Sequence, residues 1–432
     1  MKKYLANSFW VLSEKIIRLT VVFCLFSYVS QKLTVYEFGV FSLAQTIASL
    51  MIGVVAFGFD NVLIKEFSAS NRVNEVLSTS LIFRMMLSIF TVLIFSIVIL
   101  LTDYNNTYKA VFIISSFSVF FQAQTIYYSY YQAISKSEVI TKTSIVALII
   151  SSIIKLTILY LNLGVVYYTL SFCLDYLFSF LLIFLVSRKG GLNVNFKFFN
   201  IKKLTSLVKQ SFPILVSTLI VMIYTRIDQF MLAKMIGMDE VAKFNVAIRI
   251  SDAYMFIPLA IAASFFPMVA NNSSPSNIKK YFYVTHLFTS ISGALVILLT
   301  PFIVNAFFGV RYQESISVIY IIVIANIISS LGSVSSNILI IRDVSYLRIY
   351  RAIYGLVINV VLNVILIPKY GMIGAAYASL FSQVVAAWIS NIFSVKTRDC
   401  FYYQTLALVT FGIPVIKEIF ITMRKTTKKR HK

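Results

Sequence analysis

Charge is scarce in this sequence, since charged residues make up only 12% of its 432 residues and hydrophobic residues make up 59%. Soluble globular domains carry about 25% charged residues, so the composition excludes that class. Only 7 prolines and 14 glycines occur, and because both residue types weaken helices, long unbroken helices are feasible. The 3 cysteines and 2 histidines are scattered along the chain, which gives neither a disulfide framework nor a metal site.

Catalytic and nucleotide-binding motifs are also missing. The sequence has no glycine-rich phosphate loop and no constellation of paired acidic residues, so it gives no support to an ATPase or a hydrolase. The ten-residue alternating segments of a transmembrane β-barrel are not found either. We therefore expect a helical membrane protein that is not an enzyme.

Apolar residues come in blocks of about 20 to 25, the length that a helix needs to cross a hydrocarbon core of about 30 Å. The block at residues 7–30 is too long for a signal-peptide core and is expected to be the first span. The sequence predicts an all-α polytopic membrane protein with about twelve transmembrane helices. The predicted spans are 7–29, 38–59, 78–101, 109–134, 139–161, 165–186, 212–236, 241–269, 283–308, 316–341, 349–367 and 373–395.

The longest connection, residues 187–211, carries six basic residues and divides the predicted spans into two sets of six. We therefore expect an N-terminal six-helix bundle over 1–186, a cytoplasmic linker over 187–211 and a C-terminal six-helix bundle over 212–395. Residues 396–432 form a basic tail. Its segment 401–421 is apolar enough for a thirteenth span, but that span would place basic residues outside, so an interfacial or re-entrant helix is favoured.

The basic residues also set the orientation. The net charge is +22, and most lysines and arginines lie between apolar blocks. With the N-terminus in the cytoplasm, the inner segments carry 26 basic residues and the outer segments carry 6. The positive-inside rule then predicts a multi-pass membrane protein with both termini in the cytoplasm.

A weak internal repeat supports two related halves. Residues 36–44 match residues 239–247 at a shift of 203, with Glu, Phe and Ala in common. Residues 163–167 lie opposite residues 370–374 at a shift of 207. Six spans in each half would give the two halves the same orientation, which is the arrangement of transporters with parallel repeats.

Six segments, spread in order along nearly the whole chain, resemble those of a known family. They are residues 36–44, 58–66, 224–232, 244–250, 308–312 and 367–376. By these segments the chain resembles the polysaccharide transporter family, which includes the O-antigen (Wzx-type) flippases of lipopolysaccharide synthesis. That family lies in the multidrug/oligosaccharidyl-lipid/polysaccharide (MOP) exporter superfamily.

The resemblance implies a MOP/MATE-like fold of two pseudo-symmetric six-helix bundles in a bacterial inner membrane. It also implies alternating access that moves an undecaprenyl-diphosphate-linked oligosaccharide, an O-antigen or capsule repeat unit, from the cytoplasmic to the periplasmic face. The partners it implies are this lipid-linked glycan, membrane lipid, a polysaccharide polymerase and a chain-length regulator, with no nucleic acid. No cofactor is expected apart from coupling to H⁺ or Na⁺.

Charged residues inside the spans are candidates for the transport site, because burying charge in a membrane is costly. An anionic diphosphate requires positive potential, and arginine can hold phosphate oxygens with two hydrogen bonds. The candidate substrate-binding residues are Arg18, Lys155, Arg226 and Arg249. The candidates for ion coupling, or for charge partners of those residues, are Asp228, Asp175, Glu14 and Asp252.

Some of these charges also have structural explanations. Glu14 and Arg18 are four residues apart and can pair on one helix, and Arg249 can pair likewise with Asp252. Lys15 and Arg84 lie near a predicted helix end and are expected to extend to the interface.

The tyrosine-rich run at residues 127–131 has two interpretations of its own. It fits an interfacial aromatic belt, the interpretation that we favour, or stacking against sugars.

Two other functions remain open. A cation-coupled small-molecule or multidrug exporter of the same superfamily could use Asp228 or Asp175 to carry a proton or Na⁺. A membrane O-antigen polymerase or ligase would need a large periplasmic loop. Every predicted outer connection has about ten residues or fewer, which argues against that enzyme class.

The charge count makes a testable prediction about topology. Alkaline phosphatase and β-galactosidase fusions after residues 106 and 312 should report an outer location, and fusions after 200 and 430 an inner one. Phosphatase activity at position 430 would instead mean that segment 401–421 crosses the membrane.

Overall fold

A computed structural model of the chain describes residues 2–69 and 72–414, with side chains at Trp10 and from residue 13 onward. Regular structure in these residues is entirely helical. The helices are α1 Lys2–Lys32, α2 Val35–Ala56, α3 Phe59–Ala69, α4 Val73–Leu100, α5 Asn106–Phe121, α6 Gln124–Ala133, α7 Ser137–Tyr160, α8 Val165–Lys189, α9 Ile201–Met235, α10 Met238–Asn271, α11 Pro275–Ile303, α12 Ser315–Ile341, α13 Leu347–Gln383 and α14 Arg398–Thr410.

Ten helical segments of the described residues are long and apolar enough to cross a membrane. One of them, Leu347–Ile392, bends at Gly371, where a φ of 54° interrupts the helix, so it holds the last two predicted spans. Helix α1 has 31 residues and is about 46 Å long, although Glu14, Lys15 and Arg18 make it less apolar than the others. The all-α architecture with about twelve spans is confirmed.

The chain forms two compact units, Met1–Ile223 and Tyr224–Lys432. The boundary between them lies inside α9. The predicted bundle limits, 1–186 and 212–395, stay predictions about the two membrane-crossing halves.

Residues of the predicted linker pack on the first unit. The backbone N–H of Asn200 donates to Thr79 Oγ1 at 3.1 Å, and its side-chain amide donates to Glu75 at 2.7 Å. Lys203 forms an ion pair with Glu66. These contacts fix the start of α9 to α3 and α4. This part of the predicted linker is therefore packed against helices of the first unit.

Arg84 ties together two helix breaks in the first unit. Its guanidinium donates to the carbonyl of Ala56 at 3.0 Å, where α2 ends, and to that of Gln122 at 3.4 Å, where α5 ends. Its other neighbours are Thr125 and the carboxylate of Asp60 at 3.6 Å. The prediction that Arg84 extends to the interface is wrong: its side chain is 1% exposed because it satisfies carbonyls that the interrupted helices leave without N–H donors.

The turn inside α13 lies within residues 367–376, one of the six segments that resemble the polysaccharide transporter family. Gly371 adopts a left-handed conformation that a residue with a Cβ takes only at a cost. A side chain at Gly374 would collide with the backbone carbonyl of Leu366. The backbone N–H of Met372 donates to Glu240 at 3.1 Å, so the turn is also fixed to the start of α10.

The described part of the tail packs against the second unit. Helix α14 has 13 residues, a length of about 20 Å that is too short to cross the hydrocarbon core. Cys400 and Ala407 lie in an apolar core beside residues of α11, and Asp399 accepts two hydrogen bonds from Arg342 at 2.8 and 2.5 Å. The rest of the predicted segment 401–421, from residue 415 onward, lies outside the described residues.

Candidate functional site

Polar side chains gather at two places inside otherwise apolar helices, one in each unit. The first-unit cluster consists of Glu14, Arg18, Tyr128, Lys155 and Asp175. The second-unit cluster consists of Asp228, Asn359, Asn363, Ser379 and Ser382. These clusters hold most of the residues that the sequence marks as candidates.

Helix α1 contributes an ion pair to the first-unit cluster. Arg18 Nε donates to Glu14 Oε1 at 2.6 Å, one helical turn away. Their i, i+4 spacing, with the acid first, favours this pairing on a helix. Arg18 also lies within electrostatic range of Asp175 and Tyr128, so it faces α8 and α6 as well as its own helix.

Lys155 on α7 and Asp175 on α8 form the buried centre of this cluster. The ammonium of Lys155 forms an ion pair with Asp175 and lies 4.1 Å from the centre of the Phe172 ring. A cation over an aromatic face gains electrostatic stabilisation when it is removed from water. Asp175 Oδ1 is buried and has no hydrogen-bond partner, so this carboxylate has capacity for one more donor.

Tyrosines of the 127–131 run point into protein on two sides of α6. Tyr128 is hydrogen-bonded to Ser144 at 2.8 Å and belongs to the cluster. Tyr127 is 1% exposed and packs against Phe180 and Phe184. Because Tyr127 is buried in the first unit, it cannot be part of an interfacial belt and is not placed to stack against a sugar.

The first-unit cluster has no net charge. Two basic groups, Arg18 and Lys155, are balanced by Glu14 and Asp175. The sequence suggested an excess of positive charge among the span residues. In this unit both candidate phosphate ligands already have carboxylate partners, so neither offers an uncompensated positive charge to an anion.

Asp228 is the centre of the second-unit cluster. Its buried carboxylate accepts hydrogen bonds from Asn363 Nδ2 at 2.5 Å and from the hydroxyl of Ser379. The Asn363 amide also donates to Asn359 Oδ1 at 2.9 Å, while Asn363 Oδ1 is buried without a partner. The amide of Asn363 and the hydroxyl of Ser379, both on α13, therefore stabilise this carboxylate.

Arg226 pairs across helices with Asp252 of α10, at 2.9 Å. Residues two apart point to nearly opposite sides of a helix, so Arg226 and Asp228 cannot both face α13. Arg249 is half-buried one turn before Asp252 on α10, and therefore lies near the face that Arg226 contacts. The sequence suggested that Arg249 can pair with Asp252 and that Asp228 is a possible charge partner for the arginines, and both stay predictions. The structure adds that Arg226 pairs with Asp252 and that Asp228 accepts hydrogen bonds from α13.

The neutral members of these clusters were not predicted from the sequence. Asn359 and Asn363 are four residues apart in an apolar span, so they share one helix face. That spacing was a usable signal, but a search restricted to charged residues passes over it. Ser379 gave no signal, since serine occurs throughout these helices.

Solved structures with the same fold are membrane transporters. A lipid II flippase, MurJ, in an inward closed conformation is 17% identical, with a TM-score of 0.75, covering 96% of this chain and 93% of that chain. An inward-facing multidrug resistance transporter of the MATE family, in the MOP superfamily, is 16% identical, with a TM-score of 0.67 and coverage of 91% and 95%. A MOP superfamily transporter from Pyrococcus furiosus is 14% identical, with a TM-score of 0.65 and coverage of 95% and 96%. These likenesses establish the fold.

Sequence comparison gives the family. A search of curated protein sequences finds no match. The sequence profile described as "Polysaccharide biosynthesis protein" matches residues 4–273, which is more than half of the 432 residues. The chain belongs to the polysaccharide biosynthesis protein family, and its helices adopt the fold of MOP superfamily transporters.

Proposed function

We propose that the protein is a flippase that moves an undecaprenyl-diphosphate-linked oligosaccharide, an O-antigen or capsule repeat unit, from the cytoplasmic to the periplasmic face. The observation that carries the proposal is the family match over residues 4–273, on a fold shared with a lipid II flippase. Alternating access in the inner membrane, with both termini in the cytoplasm, is part of the proposal.

In this proposal the diphosphate binds to a basic side chain that can leave its carboxylate partner. Arg226 and Asp252 have side chains that are 28% and 50% exposed, whereas those of Lys155 and Asp175 are 1% and 10% exposed. An exposed ion pair is worth about 0–1 kcal/mol, while removing one member of a buried pair costs about 3–5 kcal/mol. Arg226 is thus the candidate that an anion can recruit at least cost.

The remaining candidates follow in order of burial. Arg18 is 31% exposed beside a Glu14 that is 17% exposed, so it can exchange partners more readily than Lys155. Arg249 joins Arg226 because it lies one turn from Asp252 on α10. Lys155 is better suited to hold α7 against α8 than to contact substrate directly.

Energy coupling is proposed at Asp228. A carboxylate beside amide and hydroxyl oxygens offers the hard oxygen ligands that a small cation prefers, and a carboxylate can alternatively take a proton. The unpartnered Asn363 Oδ1 adds an acceptor next to it. Entry of Na⁺ or H⁺ would neutralise the buried charge and change the hydrogen bonds between α9 and α13, which gives an ion gradient a means to act on this unit.

A second candidate function is cation-coupled export of a small molecule. The neutral balance of the first-unit cluster favours it, because a cluster without net charge does not select for an anionic substrate. The fold shared with a multidrug resistance transporter is compatible with it.

Deleting the gene distinguishes the two functions. The flippase proposal predicts loss of surface polysaccharide and accumulation of single lipid-linked repeat units on the inner face of the membrane. Glycan staining and labelling with an impermeant lectin measure both. A deletion strain with normal surface glycan and increased dye sensitivity would favour the exporter.

Substitutions at Arg226 and Arg249 test the substrate site. Arg→Ala at either position should abolish complementation of the deletion strain, whereas Arg→Lys should retain part of it, because lysine keeps the charge but loses the planar fork. Immunoblots of the membrane fraction check protein levels. Lys234→Ala, on the exposed end of α9, is the matched control and should complement fully.

A double variant at Arg226 and Asp252 tests whether Arg226 binds substrate or only forms a structural ion pair. If Arg226 only balances Asp252, the double variant Arg226→Ala/Asp252→Ala should recover the function that Arg226→Ala loses. We expect no recovery, since the diphosphate still lacks its ligand. Recovery would assign Arg226 to structure, and full activity of both single Arg→Ala variants would remove these two residues from the site.

The ion-coupling proposal is tested by Asp228→Asn, which keeps the size of the side chain but removes its charge and its titratable proton. In proteoliposomes, transport by the native protein should rise when a Na⁺ or H⁺ gradient is imposed, and the variant should not respond. Asp103→Asn, which removes an exposed carboxylate between α4 and α5, should respond like the native protein. An unchanged response in Asp228→Asn would exclude this residue as the coupling site.

A further inference from the structure

A small cavity in the second unit lies between the first turns of α13 and the segment that follows the π-helical turn Val384–Trp388. It has a volume of about 210 Å³ and is lined by Arg351, Asn391, Ser394 and three aromatic side chains. None of these residues belongs to the two clusters described above. The cavity is smaller than the 300–1,000 Å³ that is usual for drug-sized ligands, so a compact group fits it and an oligosaccharide does not.

Arg351 has a structural role that uses only part of its guanidinium. Its Nε donates to the carbonyl of Ala386 at 3.0 Å, and its Nη2 donates to those of Gly332 and Ala387 at 3.2 and 3.4 Å. These bonds satisfy carbonyls at the π-helical turn, where the regular ladder is interrupted. The buried Nη1 has no hydrogen-bond partner.

The charge of Arg351 also lacks a counterion. Lys155 has Asp175 and Arg84 has Asp60, but no carboxylate of residues 13–69 or 72–414 lies within 4 Å of the Arg351 guanidinium. Burying an uncompensated cation is costly, and Arg351 is only 8% exposed. An anion in the cavity would supply the missing charge and accept from Nη1.

Asn391 has an acceptor atom without a hydrogen-bond donor, whereas Arg351 has a donor without an acceptor. Its amide Nδ2 donates to Ala387 O at 3.2 Å and to Gln404 Oε1 at 2.8 Å, while its Oδ1 is buried without a partner. One unused donor group and one unused acceptor thus belong to residues that line the same cavity. A ligand that satisfies both carries an anionic group and, close to it, a hydroxyl or an ammonium.

We propose that this cavity binds the headgroup of a glycerophospholipid, with its phosphoryl oxygens on Arg351 and its hydroxyl or ammonium on Asn391. Tyr350 and Phe393 line it and are 53% and 65% exposed, which suits acyl chains lying against the outside of the helices. Arginine holds phosphate oxygens through two parallel hydrogen bonds. The site is independent of the proposed transport function, because it shares no residue with either cluster.

The test measures lipid binding to the purified full-length protein by native mass spectrometry, with phosphatidylglycerol and phosphatidylethanolamine as probes. Arg351→Gln keeps a donor for the carbonyls but removes the charge, and should weaken lipid binding about tenfold, equivalent to about 1.4 kcal/mol. Arg348→Gln, an exposed arginine one turn earlier, is the matched control and should leave binding unchanged. Equal binding by both variants and the native protein would overturn the proposal.

A second pair of variants avoids the structural role of Arg351. Ser394→Leu fills the cavity and leaves the guanidinium contacts in place, and it should weaken lipid binding as Arg351→Gln does, whereas Ser394→Ala should not. Unaltered binding by Ser394→Leu would place the lipid elsewhere.

Competing phosphates identify the source of the ligand. Undecaprenyl phosphate and inorganic phosphate should not displace phosphatidylglycerol at equal concentration. Displacement by the first would assign the cavity to the carrier lipid, and displacement by the second would assign it to free phosphate; either result would overturn the assignment to a glycerophospholipid.

Discussion

Compensation of buried charge is the constraint on which the interior of this protein depends. Apolar helix surfaces do not stabilise an ionised side chain, so polar groups of the protein must do so where such a side chain is buried. Lys155 uses a carboxylate and an aromatic ring. Arg84 uses the carbonyls of interrupted helices, and Asp228 uses amide and hydroxyl dipoles. Each of these sets of contacts joins two or more helices. The charged residues that are costly to bury therefore also hold the helices in position.

The same constraint gives these groups a capacity for transport. A charge that is held by a partner can be transferred to a ligand when the ligand offers equal compensation, and the cost of the exchange grows with burial. The half-exposed Arg226–Asp252 pair lies at the low end of that cost, and the buried Lys155–Asp175 pair lies at the high end. Asp228 accepts hydrogen bonds from neutral groups of α13 and is the carboxylate at which we propose that a cation binds. The proposal thus assigns substrate exchange, structure and ion coupling to different charged residues.

The sequence predicted the transmembrane spans, but it did not predict which side chains the charged residues contact. Hydrophobic length located about twelve helices, including the pair on either side of Gly371. Hydropathy could not show that the predicted span 109–134 is interrupted after Phe121, because no proline or glycine marks that break. The partner of Asp252 depends on how α9 and α10 are rotated about their axes, which periodicity leaves open. Asn359 and Asn363 were not predicted as site residues because the candidates were chosen among charged side chains.

Translocation by the purified protein in proteoliposomes tests the flippase account most directly. Vesicles would carry an undecaprenyl-diphosphate-linked oligosaccharide with a labelled sugar, and an impermeant glycosidase would report the fraction in the outer leaflet. The account predicts that the native protein moves labelled glycan between leaflets and that Arg226→Ala does not. Retention of the glycan in its original leaflet by the native protein, in vesicles where the same protein moves a cationic dye, would contradict it.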